Sequence, residues 1–181
     1  MTAIDEVPPA PPRFQTHDEW FVCGVHAGVH SIQVWAPAER VVAHLHALTA
    51  ALSTPDDPTV DVFVHDGQSS RRWAGARVDV ATVSDALNRA RLPLAAFGGV
   101  ELSLATATDQ LVLTPDLMLV IYATTPRWPF LLEARGLVER QSVPAPQWSL
   151  SAARPASAPS PALAHALEQF ANRLALVEVH V

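Results

Sequence analysis

The chain has 181 residues, 49% hydrophobic and 17% charged, which is enough apolar material for a sizeable core and too little charge for disorder throughout. Its net charge of −6 argues against general binding to nucleic-acid backbones, whose affinity comes from counterions released at basic contacts. Every basic side chain is an arginine, as a GC-rich coding sequence would give, and Cys23 is the lone cysteine, so neither an internal disulfide nor a cysteine-based zinc site can form.

Residues 1–16 carry Pro8, Pro9, Pro11 and Pro12 and read as an extended, disordered tail. The tail is acidic and lacks the basic and apolar regions of a signal peptide. The longest apolar run, residues 117–123, falls far short of the ~20 residues that span a bilayer. A cytoplasmic, bacterial-type protein without membrane association is expected.

From Trp20 to Trp35, Val, Ile, Phe and Trp dominate and Gly28 breaks the run, predicting two strands. Pro37 ends the second strand, and Val41, Leu45, Leu48 and Leu52 recur at helical spacing. Val60, Val62 and Val64 then alternate with polar positions, Asp66-Gly67 signals a hairpin, and a return strand is expected to reach Val80. Thr82 and Asp85 suggest a capping box for a short helix through Leu87 toward Arg91, with Pro93 and the Gly98-Gly99 pair closing the region.

A third unit runs from Val100 through Leu104, turns over residues 106–110, and returns through Leu111 to Leu113. The unbroken apolar run at 117–123 predicts a strand buried on both faces. Thr125-Pro126 opens a helix that Gly136 caps, and Leu137 to Arg140 reads as a returning strand. Residues 141–161 are rich in Pro, Ala and Ser and read as an internal linker, in which Trp148 is a candidate docking side chain. Ser160-Pro161 begins a final helix through Leu163, Leu167, Phe170 and Leu174. The chain closes on Leu176, Val177, Val179 and Val181, a strand that needs a partner.

These elements define an α+β domain over residues 17–181: a mixed, largely antiparallel sheet with about four helices. They fall into three degenerate strand–strand–helix units, followed by a C-terminal helix and strand.

The sequence holds no nucleophile elbow, P-loop, Gly-x-Gly-x-x-Gly, His-Glu-x-x-His or EF-hand pattern. Three constellations remain. His26 and His30, four residues apart, could share a zinc ion with His65 if sheet pairing brought them together, leaving an open position for water. Arg71 and Arg72, with Arg77, form a small cationic patch on one predicted strand, more simply read as a solvated face. Trp20, Trp35, Trp73 and Trp128 read as core or interface anchors. Cys23 sits mid-strand among apolar neighbours and reads as a buried thiol.

The first reading of function is therefore a non-enzymatic interaction or regulatory module, pairing with another protein or with itself and using no cofactor. The alternatives are a metal-dependent hydrolase or lyase using His26, His30 and His65, and a small-molecule binder with a Trp-lined pocket.

Overall fold

The computed structural model describes residues 19–52, 57–65, 70–75, 77–142 and 160–179. Trp148 and the Asp66-Gly67 turn lie outside the described residues, as does most of the 141–161 linker.

Strands β1 (Trp20–His26) and β2 (Val29–Trp35) form a hairpin closed by Ala27-Gly28. Both turn residues have positive φ, 50° and 81°, the conformation that matches the right-handed twist of a two-residue hairpin. Helix α1 (Ala38–Thr49) follows Pro37 and ends in a 3-10 turn, Ala50–Leu52. Strands β3 (Thr59–His65) and β4 (Ser70–Gly75) are antiparallel neighbours and lead into α2 (Val80–Phe97). A three-stranded meander follows: β5 (Val100–Ala105), β6 (Asp109–Leu113) and β7 (Leu119–Ala123). Helix α3 (Arg127–Glu133), strand β8 (Val138–Arg140), helix α4 (Pro161–Arg173) and strand β9 (Val177–Val179) complete the order.

The nine strands of the described residues join one sheet in the order β8-β1-β2-β7-β6-β5-β3-β4-β9. Among the described residues only the β1–β8 pair is parallel; the rest are antiparallel. The expected α+β class, with a mixed and mostly antiparallel sheet and four helices, is the observed architecture. The terminal strand has its partner, pairing with β4 through Val177 and Ala74.

Alternation along the strands sends Phe21, Ile32, Val34, Val62, Leu102, Leu104, Leu111 and Ile121 to one face, where they meet a helical layer. In that layer α2 packs between α1 and α4. Val41, Leu45 and Leu48 of α1, Val83, Leu87 and Leu94 of α2, and Leu163, Leu167 and Phe170 of α4 complete a continuous core. The opposite face carries no helix among the described residues.

Local expectations needed three corrections. Strand β4 stops at Gly75, and α2 starts at Val80, two residues before Thr82. Its cap is Asp79, whose Oδ1 accepts the Thr82 amide at 2.9 Å. The helix also continues through Pro93 to Phe97. Proline there removes one backbone bond, to the carbonyl of residue 89, but Arg89 is exposed and Leu94 and Ala95 beyond it are buried. Tertiary burial outweighs the local break. Finally, β7 begins only at Leu119, because Leu117 adopts φ 59° in the preceding turn.

No helix of the described residues is long and apolar enough to cross a membrane.

Candidate interaction face

On the bare face, paired residues line up in two rows across the sheet. One row runs Arg140, Val22, Gln33, Val120, Val112, Ser103, Asp61, Ala74 and Val177. The other has Val138, Trp20 and Trp35 at one end and Glu101, Phe63, Arg72 and Val179 at the other. Both rows result from the hairpin registers, since residues opposite each other on paired strands share a face.

The Trp20 and Trp35 rings stack with centroids 5.1 Å apart and planes 12° from parallel. The Arg140 guanidinium lies 5.1 Å from the Trp20 ring, within cation–π range. Trp35, Tyr122, Val138, Val177 and Val179 remain exposed. At the far end, Arg72 Nε donates to Asp61 Oδ1 at 3.0 Å. The face thus has an aromatic, aliphatic end and a polar end where charges pair with each other.

Beneath the sheet, the buried side chains of His44 and Asp109 are engaged in hydrogen bonds, whereas Thr125 Oγ1 and Arg127 Nε are buried without one. His44 on α1 is wholly buried. Its Nε2 sits 2.6 Å from Glu19 Oε2, and Arg135 Nε donates to its Nδ1 at 3.1 Å. Because an arginine N–H can only donate, Nδ1 is bare and Nε2 carries the proton, so the ring is neutral. Burial pushes the His44 pKa down, against the pull of Glu19. The Arg40 hydrogen bond, at 2.6 Å, holds the Glu19 carboxyl below its ordinary value. Asp109 on β6 accepts from Trp128 Nε1 at 2.8 Å and from Arg127 Nη2 at 2.6 Å. Such groups tie elements together.

The structure does not bring the histidine set together. His26 and His30 lie on paired strands, but His26 shares the bare face with Val29, while His30 shares the covered face with Ile32. The turn at Ala27-Gly28 replaces the straight strand on which a four-residue spacing would align them. His65 belongs to β3, which β7, β6 and β5 separate from β2. Four strand spacings amount to ~19 Å, far beyond what ligands ~2.1 Å from one zinc ion can bridge. Among the described residues no three His, Cys, Asp or Glu side chains are placed to hold a metal.

The arginine patch is also divided. Arg71 turns to the covered side, donating to Glu178 at 2.9 Å and lying 4.5 Å from the Trp73 ring. Arg72 points to the bare face, and Arg77 lies beyond the end of β4 with φ 55°. The tryptophans do not converge on a pocket either: Trp128 is wholly buried, Trp73 borders a notch of ≈ 300 Å³ beside α4, and Trp20 and Trp35 stand on the open sheet. A second notch of ≈ 360 Å³ between α2 and α4 is lined by Ala86, Ala90, Phe170 and arginines. Cys23 is half-buried, and desolvation together with Glu139 beside it pushes the thiol pKa up to about 12.

Sequence reasoning missed the Glu19–His44–Arg135 chain and the Asp109–Trp128 bond, which join residues far apart in the sequence. The aromatic row did leave a trace, in the alternation that puts Trp20 and Val22 in phase with Gln33 and Trp35 across one hairpin. No family model, curated protein or solved structure matches the chain.

Proposed function

We propose that this chain is a non-enzymatic interaction module that docks a protein surface on the bare face of its sheet. The concentration of exposed large apolar side chains there supports this reading: Val29, Trp35, Tyr122, Val138, Val177 and Val179 all point to that face. Large apolar side chains left exposed on one face favour a binding surface over an inert one. Stacked tryptophans also suit an anchor, since they offer large contact area and lose little side-chain freedom on docking. His44 and Asp109 are held in internal bonds, and His26, His30 and His65 stand apart.

Photo-crosslinking in cells tests the proposal. With p-benzoylphenylalanine in place of Trp35, irradiation should yield a discrete covalent adduct. The same residue in place of Leu92, exposed on α2, should yield none. Adducts from position 92 alone, or from neither position, would contradict a docking role for the bare face.

A further inference from the structure

We infer that the surface docked on the bare face is the same face of a second copy, related by a two-fold axis lying along β6. This deepens the interaction reading and rests on it.

Self-complementarity carries the inference. β6 is the fifth of nine strands, so a two-fold axis parallel to it, between two facing sheets, reverses strand order and keeps each row over itself. In the first row Val112 meets Val112, Val22 lies over Ala74, and Gln33 lies over Asp61, an amide against a carboxylate. In the second row Val138 lies over Val179 and Trp35 over Phe63, apolar on apolar. Of the stacked tryptophans, Trp35 therefore falls on Phe63 and Trp20 on the Arg72 guanidinium, a cation over an aromatic ring. Closed two-fold pairing of this kind is the commonest way for one surface to meet itself.

Charge favours the same occupant. Whole chains carry −6 each and repel, but the bare face sets Arg72 and Arg140 against Asp61 and Glu101 and has no net charge. It is a surface on which two acidic copies can approach. Size fits as well. Nine strands at about 4.8 Å each, seven of them five to seven residues deep and β8 and β9 three, give a face on the order of 700 Å². A stable complex buries about 800 Å² per partner.

Sedimentation equilibrium of the full chain, with the V112K and V112E variants, tests the axis. The wild type should sediment at twice 19.5 kDa. Each variant alone should be a monomer, because like charges meet on the axis, and its circular dichroism should match wild type. Mixing V112K with V112E should restore the dimer, since the charges then attract, which a folding defect could not do. A monomeric wild type at ~100 µM, well above the Kd of a micromolar complex, would overturn the second-copy inference. So would a dimer that V112K leaves intact, or variants whose mixture stays monomeric. In any of those cases an adduct of other mass from position 35 would leave the interaction reading standing; absence of any adduct would remove both.

Discussion

Strand β7 shows the two faces of the sheet side by side. Leu119, Ile121 and Ala123 point into the helical layer and are fully buried, while Val120 and Tyr122 point the other way. Tyr122 is 42% exposed, yet Val120 is only 6% exposed, although no described helix covers it. Gln33 and Val112 flank it on the adjoining strands. A second layer makes one face a dry core; close-set neighbours only partly shade the other. That partial shading leaves a face that tolerates water but retains apolar area to bury.

The largest expected effect separates the two faces directly. Ile121→Ala should cost about 2–5 kcal/mol, the range for a truncated core side chain with its residual cavity. Val120→Ala should cost less, about 1–2 kcal/mol at roughly 0.8 per lost methylene-sized group, because the side chain has no second layer to leave empty. Chemical denaturation of both variants at a concentration where the protein is monomeric measures the difference. Equal losses would mean that both faces are packed alike.

The next effect concerns polar groups, which only the covered face buries completely. Because the folded His44 pKa lies below its ordinary value of 6.5, the unfolded chain takes up its proton first as pH falls. The stability that the neutral ring contributes is therefore fully present above pH 6.5 and is lost as pH drops through the depressed folded value. Protonating the Nδ1 position would also set an N–H against the Arg135 donor. The melting temperature should fall with acidification below neutrality, and His44→Leu, which removes the titrating group, should flatten that slope between pH 7 and 5.5. An unchanged slope would show that His44 is not the group responsible. Glu19, whose pKa is also lowered, contributes stability that is present above its ordinary value and lost at more acid pH, outside that window.

A smaller effect tests what fixes the faces. The Ala27-Gly28 turn sets the β1–β2 register, and a one-residue slip would send Trp20 and Val22 into the core side. Ala27 holds φ 50°, a conformation that costs a residue with a Cβ about 1–2 kcal/mol. Ala27→Gly should relieve part of this and raise stability by up to about 1 kcal/mol, offset by the added freedom of the unfolded chain. A clear loss of stability would mean that the Ala27 side chain makes contacts that matter more than its strain.

Much of the fold was legible because its signals are local. Alternation at Val60, Val62 and Val64, the stripe of α1, and Ser160 with Pro161 at the start of α4 each depend on a few adjacent residues. The order of strands was not legible. Nothing near His65 reveals that β5, β6 and β7 will stand between it and His30, and so the metal set looked feasible. Pro93 misled for a similar reason: a local helix breaker was overridden by burial of Leu94 and Ala95. The interaction face was half visible, in the phase of Trp20 and Trp35, but which of the two faces the helices would cover is a tertiary fact.

Hydroxyl-radical footprinting over a dilution series tests the central claim most directly, because it reads both sides of the molecule in one sample. On concentrating the protein, Trp35 and Tyr122 on the bare face should become protected. Leu92 on α2 and Phe130 on α3, both exposed, should react at the same rate throughout. Protection of Leu92 and Phe130, with Trp35 and Tyr122 reactive at every concentration, would contradict the account.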